Sequence, residues 1–202
     1  MKIGVVAVQG AVSEHFDILK RVMDKLGIKG KVIHVKTVKD LDNISGIVIP
    51  GGESTTINRL MLNTKIHDKI VKLAKKGLPI LGTCAGAILL AKEGDEQVKQ
   101  TNTVLLGLMD MKVLRNAYGR QVDSFEADVN ILELGKKPYR AVFIRAPGIE
   151  KVWNGTKVFA KYKDFIIGSK KGNILALTFH PELTDDLRIH KYFLKMIEKQ
   201  KS

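Results

Sequence analysis

A single cysteine, Cys84, stands in Gly82-Thr83-Cys84-Ala85-Gly86, directly after the apolar run Leu78-Pro79-Ile80-Leu81. A short buried strand that ends in small-x-Cys-x-small and passes straight into a helical stretch, Ala85 to Ala91, has the pattern of a nucleophile elbow with sulfur in place of oxygen. The strand and helix nearly touch at such a turn, so side chains at positions 82 and 86 would collide, and glycine suits both. The helix start offers free N–H groups and a positive dipole end to a thiolate, the only form in which Cys is nucleophilic. A cysteine in an apolar stretch is equally an ordinary small hydrophobe, so the elbow needs a base beside it.

Phe179-His180-Pro181-Glu182, which follows the strand-like run Ile174-Leu175-Ala176-Leu177-Thr178, supplies one. His180 can take the thiol proton and return it to a leaving amine, while Glu182 holds the imidazole in one tautomer and stabilises the imidazolium. In extended chain, residues two apart project to the same side, and Pro181 between them fixes one φ and removes a competing donor. His-x-Glu also occurs in zinc deaminases, but those sites require further cysteine ligands and this chain has one cysteine. A structural metal site fails on the same ground. His15, His34, His67 and His190 are scattered and read as solvated or core-edge residues rather than ligands.

The elements that must position these groups read as an α/β fold. Apolar runs bounded by glycine alternate with helical periodicity in the first half, the pattern of a parallel sheet covered by helices on both faces. Ile3 to Val8, Lys31 to Val38, Ile44 to Pro50 and Pro79 to Gly82 read as strands. Leu19, Val22, Met23 and Leu26 fall at helical spacing with Gly27 as C-cap, and Ile66, Ile70 and Leu73 mark a second helix. The second half holds shorter strand-like pieces, Met111 to Leu114, Phe125 to Ile131, Tyr139 to Ile144, Lys157 to Tyr162, Phe165 to Ser169 and Ile174 to Phe179, some of them antiparallel. Lys171-Gly172-Asn173 fits a hairpin turn between the last two. Thr184-Asp185-Asp186 offers an N-cap to a final helix whose Leu187, Tyr192, Phe193, Met196 and Ile197 pack inward. The segment Gly94 to Gln100 carries no chemical reading and is expected to be a solvated loop. His180 and Glu182 then lie where a strand gives way to a helix, at the carboxyl end of the sheet, where open parallel sheets gather their sites.

The whole chain, residues 1–202, is expected to form one domain, since it has no Pro/Gly/Ser-rich linker and no repeat. One cysteine excludes an internal disulfide framework, and Met1-Lys2-Ile3-Gly4 opens a strand rather than a signal sequence, which points to the cytoplasm. No apolar run approaches the roughly 18 residues of a membrane span. The net charge is +13, but the lysines are spread in pairs such as Lys75-Lys76, Lys136-Lys137 and Lys170-Lys171, without aromatic interleaving or an Arg-rich stripe. A solvated basic surface or an acidic protein partner fits that distribution, and specific nucleic-acid binding does not.

A thiol-attack enzyme also needs donors for its oxyanion. Pro50-Gly51-Gly52-Glu53-Ser54-Thr55 ends the strand Ile44 to Ile49, and its two glycines let the Gly52 N–H approach a substrate carbonyl alongside the N–H of Ala85. The same residues equally make a tight turn followed by an N-cap. A phosphate-binding reading lacks both the Walker lysine and the Gly-x-Gly-x-x-Gly spacing.

Together these pieces resemble the class I, triad glutamine amidotransferases. Val8-Gln9-Gly10, Pro50 to Thr56, Gly82 to Gly86, Arg115-Asn116-Ala117-Tyr118-Gly119-Arg120-Gln121, Phe143-Ile144-Arg145-Ala146-Pro147 and His180-Pro181-Glu182-Leu183 are similar, within that superfamily, to the glutaminase subunits of pyridoxal 5'-phosphate synthase, the PdxT family. The blocks span nearly the whole chain, and Tyr118, where the family often has Phe, is a small departure. The resemblance implies a three-layer, flavodoxin-like α/β fold with a mixed, mainly parallel sheet. It also implies hydrolysis of L-glutamine to L-glutamate and ammonia, with no cofactor. The ammonia would pass to a separate (β/α)8-barrel synthase subunit of the PdxS family in a large hetero-oligomer. By the same carry-over Cys84, His180 and Glu182 are catalytic. Gly51, Gly52, Glu53, Arg115, Ile144 and Arg145 line the glutamine pocket, and Gly52 and Ala85 form the oxyanion hole. Arg115 reads equally as a loop arginine on the surface, and Arg145 could contribute backbone or side chain. The flexible glycine pair leads to the expectation that the free subunit is nearly inactive until docking orients the Gly51–Gly52 peptide.

Three rivals remain to be weighed. A glutaminase serving another synthase usually carries Cys-Leu-Gly, not Cys84-Ala85-Gly86. A peptidase or chaperone of related fold usually has His directly after the nucleophile, where Ala85 stands. A silent partner-binding subunit would have no need of an intact Cys-His-Glu set.

Overall fold

Successive residues of the central strands belong to different cores. Ile3, Val5, Val48, Leu81, Leu175 and Leu177 pack on one side, while Val6, Ile47, Ile49, Ile80, Ile174 and Ala176 pack on the other. That alternation is what continuous apolar runs become in a sheet covered on both faces, since neighbouring side chains point to opposite sides. The computed structural model describes residues 1–119 and 124–200.

Four parallel strands in the first half are β1 (Lys2–Val6), β2 (Lys31–Val35), β3 (Gly46–Ile49) and β4 (Ile80–Thr83). Between and after them run α1 (Val12–Leu26), α2 (Ser54–Asn63), α3 (Ile66–Lys75) and α4 (Ala85–Leu90). After α4 comes a strand, β5 (Ala91–Gly94), and then a helix, α5 (Glu96–Gln100), which stands where a solvated loop is expected over Gly94 to Gln100. Asp95 caps α5 by accepting from the Val98 N–H at 3.0 Å, and Val98 is buried. There follow β6 (Met109–Leu114), β7 (Ser124–Val129), β8 (Tyr139–Ile144), β9 (Gly148–Val152), β10 (Lys157–Tyr162), β11 (Phe165–Lys171), β12 (Ile174–Leu177) and α6 (Arg188–Lys199).

Among the described residues ten strands make one sheet, in the order β2-β1-β3-β4-β12-β11-β9-β6-β5, with β10 beside β11; β7 and β8 form a separate antiparallel pair. The pairings from β2 through β12 are parallel, those from β12 to β6 antiparallel, and β5 joins β6 in parallel. Helices α1 and α6 and the β7–β8 pair cover one face, and α2, α3 and α4 cover the other. This is the three-layer, mainly parallel arrangement expected. The hairpin at Lys171-Gly172-Asn173 joins antiparallel β11 and β12 as predicted. Helix α6 starts later than its predicted cap: Asp186 accepts from the Arg188 N–H at 3.1 Å, and Thr184 turns back onto Pro181. No helix among the described residues is long and apolar enough to cross a membrane.

Candidate active site

Register brings the nucleophile and base together. Strands β4 and β12 are parallel neighbours with Thr83 opposite Leu177, so Cys84 lies one residue, and His180 three residues, beyond the same level of the sheet. Strand β3 pairs Ile49 with Gly82, which puts Gly51 just past that level on the other side of Cys84. The three predicted loops therefore meet at the carboxyl ends of adjacent strands.

Cys84 adopts φ 48° and ψ −106°, a region costly for any residue with a Cβ. The elbow is held by the Cys84 N–H donating to the Leu177 carbonyl at 2.8 Å. Packing at the flanking glycines is as tight as the sequence implied. A Cβ on Gly86 would fall 2.0 Å from the Ile49 carbonyl oxygen, and one on Gly82 would fall 2.8 Å from the Gly86 carbonyl oxygen. The thiol is nearly buried and points toward the Ile144 carbonyl, 4.0 Å from Sγ. Ala85 is the first residue of α4, where the main-chain N–H has no partner within the helix.

His180 Nδ1 lies 2.7 Å from Glu182 Oε1, so the ring donates through Nδ1, while the buried Nε2 makes no hydrogen bond and is left open to a reacting proton. Its main chain is tied to β8 by a bond from the His180 N–H to the Val142 carbonyl. Burial works against a charged imidazole here. The Cys84 sulfur and the Glu182 carboxylate outweigh it and push His180 up to about 10. Burial likewise opposes a charged Glu182, yet His15 and His180 beside it hold its carboxyl below the usual range. Beneath this turn the buried Tyr139 hydroxyl reaches the Asp186 carbonyl at 3.3 Å and Thr184 Oγ1 at 3.2 Å, which fixes the chain after Glu182.

The glycine loop is tethered rather than loose. The Gly51 carbonyl accepts from the Ala11 N–H at 3.0 Å, the Gly51 N–H donates to Thr83 Oγ1 at 3.1 Å, and the Glu53 N–H donates to Gln9 Oε1 at 2.9 Å. Glu53 itself is the N-cap of α2, accepting from the Thr55 and Thr56 N–H groups. Partial burial would raise its pKa, but the hydroxyl and N–H donors of Thr55 and Thr56 lower it to about 2. Oε1, which takes the Thr55 N–H, also accepts from Arg115 Nη2 at 2.6 Å.

A cavity of about 380 Å³ opens over Cys84. Gly52, Glu53, Ala85, Arg115 and Arg145 are among the residues that line it. Gly51 sits behind the wall, against His180 and the Cys84 Cβ. Ile144 contributes its carbonyl to Cys84 while its side chain is partly exposed. Arg145 stands at φ 43°, a second strained residue at the rim. Arg120 and Gln121 of the Arg115 block lie outside the described residues.

Several working residues escaped the sequence reading. Asp95, placed in a featureless segment, accepts from the Arg115 N–H at 2.9 Å, and Gln97 of α5 lines the cavity. His15 and His190, read as solvated or core-edge, are both fully buried, and His15 lies against Glu182. His34 is exposed and stacks on Phe16.

A thiol on a strained elbow, a carboxylate-oriented imidazole and a polar cavity above them can move an acyl group through a thioester. An α/β fold with such a site has the make-up of a thiol-dependent amidohydrolase. The SNO glutamine amidotransferase family matches over residues 5–199. A curated relative from Methanosarcina acetivorans, "Pyridoxal 5'-phosphate synthase subunit PdxT", is 54% identical over 197 residues, covering 98% of each chain. A relative of the same name from Archaeoglobus fulgidus is 49% identical over 198 residues, 98% of this chain and 99% of its own. A crystal structure of a glutamine amidotransferase superposes with a TM-score of 0.86 at 41% identity, over 97% of this chain and 98% of the other. A Thermotoga maritima glutamine amidotransferase shares the fold at 15% identity, with a TM-score of 0.63 over 100% of this chain and 85% of its own. The chain belongs to the SNO glutamine amidotransferase family, and it is an enzyme.

Proposed function

We propose that this enzyme is the glutaminase of a pyridoxal 5'-phosphate synthase, hydrolysing L-glutamine and handing the ammonia to a (β/α)8-barrel synthase subunit. The observation that carries the mechanism is the 2.7 Å His180–Glu182 bond beside a cysteine held at φ 48°. Cys84 Sγ attacks the side-chain amide carbon of glutamine. The oxyanion that forms is received by the N–H groups of Gly52 and Ala85. The imidazolium of His180 gives its Nε2 proton to the departing nitrogen, ammonia leaves and a thioester to Cys84 remains. Neutral His180 then takes a proton from water, the hydroxide adds to the thioester, and collapse restores the thiolate and releases glutamate. Glutamine and water become glutamate and ammonia, and no cofactor enters the scheme. The opposed charges of Glu53 and Arg115 at one wall suit the ammonium and carboxylate of a free amino acid, and Arg145 completes the rim.

The dependence on a partner acts through the glycine loop. If docking turns the Gly51–Gly52 peptide, the Gly51 carbonyl must leave the Ala11 N–H. The test is glutamate release from L-glutamine by the chain alone and with the purified synthase subunit, with Cys84→Ala as control. Cys84-dependent turnover that rises on adding the synthase supports both chemistry and partner. Turnover indifferent to the synthase refutes the partner, and turnover that survives Cys84→Ala refutes the nucleophile.

A further inference from the structure

A second pair of imidazoles stands behind the first. His15 of α1 and His190 of α6 are 175 residues apart in the chain, yet both are fully buried, with ring centroids 5.6 Å apart and His190 Nε2 3.4 Å from His15 Nδ1. His15 Nε2 in turn lies 2.9 Å from Thr83 Oγ1 and 3.3 Å from Glu182 Oε2. Glu182 Oε1 is taken by His180, while Oε2 makes no hydrogen bond and has the 3.3 Å approach of the His15 ring as an electrostatic contact. Thr83 Oγ1 already accepts the Gly51 N–H.

These contacts select one tautomer. A carboxylate oxygen at 3.3 Å repels a bare ring nitrogen and attracts an N–H, so the proton of His15 belongs on Nε2. His15 Nδ1 is then an acceptor and takes the Nε2 proton of His190. Thr83 Oγ1 has two lone pairs, one for Gly51 and one for His15. We propose that His15, set in its Nε2–H tautomer by His190, is a positioning residue: it fixes the free oxygen of Glu182 and, through Thr83, the Gly51 end of the oxyanion loop. This rests on the reading of Cys84, His180 and Glu182 as the catalytic triad.

Electrostatics agrees with the geometry. The ionisable groups acting on His15 are Glu182, His180, Glu14 and, from α6, His190. Burial dominates and lowers His15, and it takes His190 down to about 3. Burial thus works against a second positive charge beside Glu182.

The test compares His15→Phe, which fills the space without a donor, with His15→Gln, whose side-chain amide N replaces Nε2. Both are assayed with the synthase subunit and beside Cys84→Ala. His15→Phe is expected to lower kcat about ten- to a hundredfold with KM little changed, as loss of an orienting partner does. Without the donor the Glu182 carboxylate is easier to protonate, so the acid limb of kcat/KM moves to higher pH by about one unit. His15→Gln restores most of both. Wild-type kcat and acid limb in His15→Phe, or equal losses in the two variants, would overturn the proposal. Should His15→Phe fail to fold, imidazole 15N shifts of the wild-type chain decide: an Nε2–H tautomer at His15 upholds it, an Nδ1–H tautomer overturns it. Turnover that survives Cys84→Ala would refute the triad instead, so the two failures are distinguishable.

Discussion

Gly51→Ala adds a single methyl between nucleophile and base. The new Cβ would stand 2.6 Å from His180 Cε1, 3.1 Å from His180 Nδ1 and 3.2 Å from the Cys84 Cβ. Carbon pairs settle at about 3.5–4.0 Å, so the imidazole must retreat by roughly 1 Å or the elbow must open by as much. The backbone does not resist, since Gly51 is not among the residues with positive φ. The ring is an end group held by one bond to Glu182, so it moves before the sheet does. A misplacement of about 1 Å in a reacting group costs on the order of a hundredfold in rate, or about 2.7 kcal/mol of transition-state stabilisation. The assay is kcat for glutamate release with the synthase subunit present, paired with calorimetric melting to show that the chain is folded. Gly86→Ala is the contrasting variant: its methyl would fall 2.0 Å from the Ile49 carbonyl oxygen, and main chain in a central strand cannot retreat, so melting rather than kcat should report it. A Gly51→Ala enzyme with kcat within threefold of wild type would refute the placement of His180 against Cys84 from which the reasoning starts.

His180 titrated by NMR should show a midpoint near 10, and Cys84→Ala should lower it by removing the sulfur that favours the imidazolium; an unchanged midpoint would mean that Cys84 is not its partner. Glu53→Ala removes the cap of α2 and frees Arg115. It should cost about 1 kcal/mol of stability and raise KM for glutamine with little change in kcat, read from melting and steady-state kinetics. Because the folded-state pKa of Glu53 falls from 4.5 to about 2, its stabilisation is complete above about pH 4.5 and is lost as pH falls toward 2. The melting difference between wild type and Glu53→Ala should shrink across that interval, and a difference independent of pH would refute the carboxylate's role as cap.

The proposed Cys-His-Glu site was legible as a candidate because each of its parts is local: an elbow is a five-residue pattern and His-x-Glu a three-residue one. Helix α2 was not, since Ser54-Thr55-Thr56-Ile57-Asn58 is poor in strong helix formers, and its cap is the longer Glu53 rather than Ser or Thr. Helix α5 buries only Val98, too little for a periodicity to register. Its one signal was Asp95 three residues before Val98, the spacing at which a cap side chain reaches an N–H. His15 and His190 each carried a clue. Residues 15, 18, 19, 22 and 23 form the buried stripe of α1, and 189, 190, 193, 194 and 197 lie on the buried face of α6. An imidazole on an apolar stripe must find a polar partner, but which one depends on how α1 and α6 meet on their shared face of the sheet.

The proposed catalytic groups and the two arginines of the cavity rest on different supports. In strand order, the loop after β1 holds the Gly51 carbonyl, Thr83 at the end of β4 holds the Gly51 N–H, and the Leu177 carbonyl of β12 holds the N–H of Cys84. Each strand end is thus bonded to the next, and the proposed nucleophile, base and oxyanion loop ride on the parallel half, whose position is set by a core on both faces. The arginines proposed to hold the substrate come from elsewhere. Arg115 follows β6 and Arg145 follows β8, the first positioned by Asp95 and Glu53 and the second by a strained turn. Loops after β6 and β8 can therefore change what enters the cavity without disturbing the register of β4 against β12. A substitution in the hydrogen-bonded chain from Ala11 to Leu177 has no such freedom, because it moves catalytic groups relative to one another.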